Sequence, residues 1–419
     1  PQYVRNPRKN IAAPANAMMN HPKLEKNMQA LEEYACTSPL NRMEMNGGKV
    51  GVVTASIAYQ YAKDAFPEDT SFLKLGLTNP LPIELIRDFA SKVDKLYVIE
   101  ELDGFMESQI LAAGIPCEGK AMTGKLYELN PQLLRERIFG EKAQTVDVGV
   151  AAVSRPPALC PGCPHRGSFY AVKRALGKTP AVFCGDIGCY TLGNAMPLDA
   201  VDTCLCMGAG ITMAQGFSVV EPQKKALAFV GDSTFFASGL PGIVNAVYNG
   251  HDFTLCVLDN ATTAMTGSQP HPGTGVTLMG ERRKPVSIEA VLKAVGFECI
   301  VHADPLNLQQ SIDAAREAID FEGPSVIMFE SPCVQLFKPA APVVLDAQRC
   351  TGCKKCITEI GCPGIGFDID ARGPKSGERG QAFIDAGQCN GCGLCTQVCP
   401  FDCISVVDTA FAVSEKKEA

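Results

Sequence analysis

Residues 226–260 read ALAFVGDSTFFASGLPGIVNAVYNGHDFTLCVLDN, in which two short apolar runs flank a longer stretch. The runs 226–230 and 253–258 have the length and the near-continuous apolar character of strands buried on both faces. The stretch between them starts with a Gly/Pro-rich turn and continues as a helical pattern to about Asn249. Strand, helix and strand in this order predict an α/β fold with a parallel sheet.

Polar residues follow both predicted strands at their carboxyl ends. Gly231-Asp232-Ser233 follows the first strand, and Asp259-Asn260 follows the second. Ligands of open α/β sheets bind at this edge, so we expect Asp232 and Asn260 to lie side by side there. A carboxylate and an amide oxygen suit Mg²⁺, which takes its other ligands from phosphates and water. Taken alone, Asp232 would more simply be a helix cap, but the paired strands favour the metal site.

The same residues resemble the signature of thiamine diphosphate enzymes, which is Gly-Asp, a spacer and then Asn. The resemblance implies that thiamine diphosphate and Mg²⁺ bind at this edge of the sheet. It also implies that the Asp, the Asn and a backbone carbonyl two residues further on ligate the metal. The implied cofactor-binding residues are Gly231, Asp232, Ser233, Asn260 and Thr262, of which Asp232, Asn260 and the Thr262 carbonyl hold the Mg²⁺.

Nine of the 20 cysteines fall between Cys350 and Cys403. Two runs there have the spacing C-x2-C-x2-C and lead to a Cys-Pro pair. They are Cys350-Thr-Gly-Cys353-Lys-Lys-Cys356 with Cys362-Pro363, and Cys389-Asn-Gly-Cys392-Gly-Leu-Cys395 with Cys399-Pro400. Thiolate sets of this kind select iron–sulfur clusters or zinc. Zinc sites usually show separated pairs, so the repeated triplet favours iron–sulfur clusters over structural zinc knuckles.

This region resembles a bacterial-type two-cluster ferredoxin domain, in which the cysteine before proline ligates the cluster of the other run. Five residues separate Cys356 from Cys362, where the ferredoxin pattern has three, so we expect a bulged first loop. Cys403 is left over; we interpret it as a packed thiol, with replacement of a ligand as the alternative. The resemblance implies one 4Fe-4S cluster on Cys350, Cys353, Cys356 and Cys399 and a second on Cys389, Cys392, Cys395 and Cys362.

Thiamine diphosphate together with 4Fe-4S clusters is typical of the 2-oxoacid:ferredoxin oxidoreductases. In that group a C-x2-C pair, a Gly-Ile-Gly-Cys turn and a Ser-Pro-Cys turn hold a proximal cluster beside the cofactor. This sequence has Cys160-Pro-Gly-Cys163, Gly185-Asp-Ile-Gly-Cys189 and Ser331-Pro-Cys333. The resemblance therefore implies a third cluster on Cys160, Cys163, Cys189 and Cys333. The alternative is buried thiols with an empty C-x2-C pair.

Residues 159–167, 185–193 and 263–272 carry a closer resemblance, to the large (alpha) subunit of the indolepyruvate ferredoxin oxidoreductase family. This resemblance covers essentially the whole chain. Ala237 stands where the family leads us to expect His. His165 and His271 are therefore the candidate catalytic histidines, and structural hydrogen bonding is the alternative role for each.

The family resemblance implies a specific activity. It is the thiamine-dependent oxidative decarboxylation of an aryl 2-oxoacid, such as indolepyruvate or phenylpyruvate, to an acyl-CoA. Electrons would pass through the clusters to ferredoxin, and a smaller beta subunit would complete a heterotetramer. The alternatives are a related enzyme acting on pyruvate, 2-oxoglutarate or branched 2-oxoacids, and a non-catalytic electron-transfer subunit. Because such clusters are oxygen-sensitive, we expect an anaerobic cytoplasm as the location.

The sequence predicts four segments: an arm, two α/β domains with parallel sheets, and a small α+β two-cluster ferredoxin domain. Strand patterns alternate with helical ones from residue 49 to residue 100, and this part resembles a transketolase C-terminal-type domain. In the family a pyrimidine-binding domain precedes it, so we expect that domain to lie outside this sequence or on another chain. The predicted bounds are 1–45 for the arm, 46–148 for the transketolase-like domain, 149–338 for the thiamine diphosphate domain and 339–419 for the ferredoxin-type domain.

Composition excludes several other classes. The net charge of −7 argues against a nucleic-acid-binding protein. No apolar run approaches the roughly 18 residues that a membrane span needs. Glu100 and Glu101 form a like-charge pair at a predicted strand end, which we interpret as a solvated face rather than a catalytic dyad.

Overall fold

The computed structural model describes residues 2–143 and 146–407. The chain forms two compact units, Pro1–Ala152 and Val153–Ala419. The predicted arm and first α/β segment lie in the first unit, while the thiamine-type and ferredoxin-type segments share the second. Among the described residues, no helix combines the length and the apolar character that a membrane crossing requires.

The first unit is built on a four-stranded sheet with helices against it. The strands are β1 (Arg42–Glu44), β2 (Val50–Ala55), β3 (Ser71–Leu75) and β4 (Lys95–Ile99). The helices are α1 (Pro7–Asn10), α2 (Pro14–Thr37), α3 (Ser56–Ala65), α4 (Ile83–Ala90), α5 (Phe105–Ala112), α6 (Lys120–Thr123) and α7 (Pro131–Leu134), which continues as a π-helix at Arg135–Phe139.

The order of this sheet is β1-β3-β2-β4. Strands β2, β3 and β4 are parallel, as the alternation of strands and helices predicts. β1 is an antiparallel edge strand paired with β3, although it lies inside the segment that we expected to be an arm. Residues 42–44 form a strand instead of part of an arm because the side chain of Met43 packs against the apolar core on one face of the sheet. The arm prediction is also incomplete at α2, a helix of 24 residues with only Ala35 buried.

The Glu100 and Glu101 side chains are not a solvated pair. Glu100 is buried and accepts hydrogen bonds from the backbone N–H groups of Met106 and Glu107, both at 2.9 Å. Glu101 accepts the backbone N–H of Leu129 at 3.2 Å. The first amides of a helix have no partner within the helix, and a carboxylate satisfies them well. Glu100 therefore fixes the start of α5, which the sequence pattern alone did not reveal.

The second unit contains a five-stranded sheet in which all strands are parallel, in the order β5-β6-β7-β9-β8. The strands are β5 (Ala181–Cys184), β6 (Lys225–Gly231), β7 (Thr254–Asp259), β8 (Cys299–Ala303) and β9 (Ser325–Glu330). The helices are α8 (His165–Leu176), α9 (Ala209–Val220), α10 (Asp232–Thr234), α11 (Leu240–Asn249), α12 (Ile288–Val295) and α13 (Leu308–Asp320).

The interior strand β6 is buried on both faces, as its continuous apolar sequence predicts. Leu227 and Phe229 belong to one core, together with side chains of α8 and α13. Ala226, Ala228 and Val230 belong to the other core, with side chains of α9, α11 and α12. Because successive side chains of a strand point to opposite faces, one short run of residues supports both layers of helices.

The ferredoxin-type part follows the sheet and consists of short elements around the cysteines. Its strands pair antiparallel as β10 with β13 and β11 with β12. Each cysteine run leads into a short helix that carries its third, buried cysteine. The elements are β10 (Val344–Leu345), α14 (Lys355–Thr358), β11 (Ile365–Asp368), β12 (Gln381–Ile384), α15 (Leu394–Val398) and β13 (Ile404–Ser405).

Candidate thiamine diphosphate and iron–sulfur sites

A cavity of about 520 Å³ opens at the carboxyl ends of β6 and β7, where the sequence places its metal site. Gly231, Asp232, Asn260 and Thr262 all line it. The strand register pairs Gly231 with Leu258, so Asp259 rather than Asn260 lies opposite Asp232. Asn260 follows one residue later and still reaches the cavity. The predicted side-by-side arrangement is therefore correct to within one residue.

The Asp232 carboxylate is buried and only half satisfied. Its Oδ1 accepts the backbone N–H of Ser233 at 2.8 Å, whereas its Oδ2 has no hydrogen-bond partner. Asn260 is also buried, and its Oδ1 accepts the Thr262 N–H at 3.2 Å across a turn at Ala261, whose φ is 61°. An orphaned carboxylate oxygen in a buried site is costly unless a cation meets it. The donor set of carboxylate, amide and carbonyl oxygens fits Mg²⁺.

Asp259 adds a second carboxylate beside Asp232, which the sequence reasoning did not single out. Its pKa is raised to about 6, first because burial disfavours the charged form and then because Asp232 lies next to it. A divalent cation between such groups would relieve this repulsion. The sequence signal was present in the Asp259-Asn260 pair, but only the register shows which member faces Asp232.

His165 lies in the lining of the same cavity. Its ring is fully buried and packs edge-to-face on Tyr190 with 5.8 Å between ring centroids. Burial lowers the pKa of His165 to about 4, against the opposing charge of Asp232. The imidazole is therefore neutral near pH 7. It can donate one hydrogen bond and accept one, but it does not bring a positive charge into the site.

His271 has a different position, because it contacts Asp232 rather than lining the cavity. Its Nδ1 accepts the backbone N–H of Gly273 at 3.2 Å, so the neutral ring carries its proton on Nε2. That Nε2 lies 3.0 Å from Oδ2 of Asp232, although the angles are not those of a hydrogen bond. This position suits His271 to orient the Asp232 carboxylate.

Two further residues, Asp186 and Tyr190, hold the wall of the cavity together. Asp186 is fully buried and accepts hydrogen bonds from the Gly208 N–H at 2.7 Å and the Tyr190 hydroxyl at 2.9 Å. Burial raises the pKa values of both Asp186 and Tyr190. A Cβ on Gly231 would meet the Tyr190 ring at 2.8 Å, which explains why glycine precedes Asp232. The sequence motif around Cys189 contains both residues, yet only the cysteine was assigned a role.

The four cysteines predicted to hold the proximal cluster come together beside this cavity. The pKa of the Cys163 thiol is raised to about 12, mainly by burial and to a smaller degree by neighbouring Cys160 and Cys189. Burial is the largest cause of the raised pKa of Cys189, and neighbouring Cys333 is the next largest. Cys160 raises the pKa of both Cys189 and Cys333. Cys189 itself lines the cavity. The backbone N–H of Cys333 bonds to the Asn260 carbonyl at 2.9 Å, which joins the two sites directly.

The ferredoxin-type part contains two cysteine-lined cavities, and each mixes the two runs as the resemblance implies. The first, about 320 Å³, is here named the outer cavity, and the second, about 370 Å³, the inner cavity. Within the described residues, no three His, Cys, Asp or Glu side chains converge on a single-ion position. The outer cavity is lined by Cys350, Cys353, Cys356, Cys399 and Cys403, and the inner cavity by Cys362, Cys389, Cys392 and Cys395.

Cys403 is thus a fifth thiol in the outer cavity. Its Sγ lies 3.2 Å from the Sγ of Cys399, and both residues are buried.

The bulge expected between Cys356 and Cys362 spans the end of α14 and a turn at Gly361, whose φ is 63°. Ala237, where the family resemblance leads us to expect His, is exposed and does not belong to the cavity lining.

Comparison with known proteins identifies two domain families and several relatives. The family model for the C-terminal TPP binding domain of thiamine pyrophosphate enzymes matches residues 186–329. The family model for the 4Fe-4S dicluster domain matches residues 343–403. The indolepyruvate oxidoreductase subunit IorA of Methanothermobacter marburgensis is 37% identical over 423 residues, covering 95% of this chain and 66% of that protein. The IorA subunit of Pyrococcus abyssi is 35% identical over 452 residues, covering 97% and 68%.

The chain belongs to the IorA family. It spans about two thirds of the length of these IorA relatives. A weaker likeness, 26% over 226 residues, joins this IorA-family chain to the pyruvate synthase subunit PorB of Thermotoga maritima, covering 47% of the chain and 69% of PorB. The predicted family and the predicted thiamine-type and ferredoxin-type domains are confirmed.

Proposed function

We propose that this chain carries the diphosphate-binding half and the electron-transfer part of an indolepyruvate-type 2-oxoacid:ferredoxin oxidoreductase. The reaction is the oxidative decarboxylation of an aryl 2-oxoacid to an acyl-CoA, with ferredoxin as the electron acceptor. A smaller beta subunit, in a heterotetramer, and a pyrimidine-binding domain complete the site. The observation that carries this proposal is the shared wall of the two sites, since Cys189 lines the cavity that Asp232 and Asn260 enter.

The residues of the cavity divide the work of holding the cofactor. Asp232, Asn260 and the Thr262 carbonyl hold the Mg²⁺ that neutralises the diphosphate, and His271 orients Asp232 from behind. Bound thiamine diphosphate supplies the carbanion and electron-sink chemistry that decarboxylation of a 2-oxoacid requires. Neutral His165 offers one hydrogen bond to a reacting group, and the buried Tyr190 ring keeps water from this wall.

The cysteine sites supply the exit for electrons. Oxidation of the 2-oxoacid releases two electrons, whereas each 4Fe-4S cluster accepts one at a time. A proximal cluster on Cys160, Cys163, Cys189 and Cys333 would lie directly against the thiamine cavity. The inner and outer cavities then provide two further one-electron carriers on the way to ferredoxin.

The test is turnover of the anaerobically purified holoenzyme, with its partner subunit, against a panel of 2-oxoacids with coenzyme A and a ferredoxin. We expect indolepyruvate and phenylpyruvate to be oxidised faster than pyruvate, 2-oxoglutarate or branched 2-oxoacids. Activity with pyruvate and none with either aryl substrate would replace the substrate assignment by that of a related oxidoreductase. Absence of bound thiamine diphosphate would leave a non-catalytic electron-transfer subunit.

Asp232→Asn tests the cofactor site separately from the substrate. Loss of a metal-ligating charge is expected to weaken thiamine diphosphate binding by at least about tenfold, measured by calorimetric titration in the presence of Mg²⁺. Asp313→Asn is the matched control, because Asp313 lies exposed on α13 and pairs only with neighbours on its own helix. Equal affinities in the two variants would remove Asp232 from the metal site.

A further inference from the structure

A buried arginine lies at the junction of the proximal cysteine site and the inner cavity. Arg166 is in the first turn of α8 and only 3% exposed. Its guanidinium donates to the carbonyls of Leu159 and Cys160 on one side, the latter at 3.2 Å from Nε. On the other side its Nη1 donates to the carbonyls of Ile360, at 3.2 Å, and Gly361, at 2.5 Å. The Arg166 side chain therefore hydrogen-bonds to both of the loops that contain Cys160 and Cys362.

This arginine has no carboxylate partner among the residues that the structure describes. The charged groups that act on it most strongly are thiols, those of Cys362, Cys163, Cys160 and Cys392. Two of them belong to the proximal site and two to the inner cavity. Four carbonyls satisfy its hydrogen bonds, but they do not neutralise its charge, and an unpaired buried cation is costly. Two anionic iron–sulfur clusters, one on each side, would supply the missing counter-charge.

The two cysteine sites also approach each other closely at this point. Gly162, between Cys160 and Cys163, lines the inner cavity together with Arg166. The side chain of Asn390, in the second cysteine run, donates to the carbonyl of Pro161 at 3.1 Å. A Cβ on Gly162 would meet that side chain at 2.0 Å, so no side chain fits between the two loops.

From this geometry we infer that Arg166 is a positioning residue that tunes electron transfer from the proximal cluster to the inner one. Its fixed positive charge raises the reduction potentials of both flanking clusters, because it favours the more negative, reduced form of each. In the transfer, one electron leaves the reduced proximal cluster, which is thereby oxidised, and enters the inner cluster, which is thereby reduced, and no bond forms or breaks. The outer cluster, whose cavity is lined only by residues 345–404, does not feel this charge to the same degree. The inference rests on the proposed function, since it requires that the clusters assemble.

The experiment is a reductive titration of the anaerobic holoenzyme followed by electron paramagnetic resonance, with the wild type beside Arg166→Gln and Arg166→Lys. We expect Arg166→Gln to shift the potentials of two clusters to more negative values and to leave the third unchanged. Arg166→Lys keeps the charge and is expected to hold both potentials close to their wild-type values. Arg174→Gln is the matched control, because Arg174 lies on the same helix and also reaches the ferredoxin-type part, 3.5 Å from Glu359, but is exposed.

Each result decides something. Three unchanged potentials in Arg166→Gln, or three potentials that move together, would overturn the assignment of Arg166. Both Arg166 variants could also fail to assemble clusters that Arg174→Gln still assembles. In that case Arg166 would be a purely structural residue, and its assignment as a positioning residue would be overturned as well. Absence of clusters from the wild type would instead contradict the proposed function.

Discussion

The two C-x2-C-x2-C runs share one local backbone but meet different surroundings. The first run has left-handed residues at Gly352 and Lys354, and the second has them at Gly391 and Gly393, in the same positions of the motif. Each then enters a short helix with its third cysteine buried. A repeated spacing thus gives a repeated loop, whatever surrounds it.

The surroundings differ because only one run faces the thiamine-type part. The inner cavity is completed by Gly162 and Arg166 from that part, while the outer cavity is lined by residues 345–404 alone. In the outer cavity Cys353 is exposed, whereas Cys392 of the inner cavity is partly buried. Under the proposed function, the inner site would receive electrons and the outer site would pass them to an external acceptor.

The largest expected effect comes from removing one cysteine on each side of this comparison. Cys392→Ala should remove the inner cluster and abolish electron flow from the 2-oxoacid to any external acceptor. Cys353→Ala should remove the outer cluster yet leave the proximal and inner clusters reducible by substrate. Iron analysis should show a loss of about four iron atoms in each variant, and substrate-reduced spectra separate the two. Equal loss of substrate reduction in both variants would contradict the inner and outer order.

A smaller effect is expected where the inner run meets the Cys160–Cys163 turn. Gly162→Ala places a Cβ at a φ of 70° and against the Asn390 side chain. The left-handed backbone costs about 1–2 kcal/mol, and the lost Asn390 hydrogen bond adds about 1 kcal/mol. Thermal unfolding under anaerobic conditions measures the difference from Gly250→Ala, which has a left-handed backbone with a φ of 62° and nothing within 4 Å of the added Cβ. If both variants unfold at the same temperature, the close contact between Gly162 and the Asn390 side chain does not contribute to stability.

The shared backbone itself is tested by exchanging residues between the runs. Gly393→Lys is expected to destabilise the second run by about 1–2 kcal/mol, because it forces a side chain into the left-handed region. Lys354→Gly should change stability by less than about 1 kcal/mol, since relief at its φ of 61° is offset by chain entropy and by loss of the Lys354 contact with the Phe367 ring. Denaturant unfolding checks both. A large destabilisation by Lys354→Gly would show that the two loops are not equivalent.

The smallest effect is expected at Cys403, the extra thiol of the outer cavity. Cys403→Ala should cost about 1 kcal/mol of packing and leave the iron content unchanged, if Cys399 is the fourth ligand there. Cys399→Ala is the matched variant and should lose about four iron atoms. Loss of iron in the Cys403 variant alone would exchange the roles of the two thiols, whose Sγ atoms are only 3.2 Å apart.

Local pattern was enough to predict much of this architecture. The apolar run 226–230 is a buried strand because a parallel strand covered on both faces has no polar position to display. The pairing of Cys362 with the second run and Cys399 with the first agrees with the two cavities. Residues close in the chain predict the strand, whereas the crossed cysteine pairing is what the resemblance to two-cluster ferredoxins implies.

Residues whose roles depend on how the chain turns or packs escaped the sequence reasoning. Glu100 looks solvated in the sequence, yet it meets the amides of α5 only after the chain turns back on itself. Arg166 follows a candidate histidine and received no role from the sequence, because its partners Ile360 and Gly361 lie almost two hundred residues away. Burial raises the pKa of Asp259, and so does Asp232, which lies opposite it because of a strand register that no single strand encodes.

The backbone bond between Cys333 and Asn260 has a consequence for how the two cofactor sites are spaced. The residues follow β9 and β7, which are adjacent strands, and Ser331 continues the same ladder by bonding to the Asp259 carbonyl at 3.0 Å. Neighbouring strands lie about 4.8 Å apart in any sheet. Under the proposed function, the spacing between the cofactor site at Asn260 and a cluster ligand at Cys333 would therefore be set by the distance between two neighbouring strands, and loops elsewhere in the chain could change without altering it.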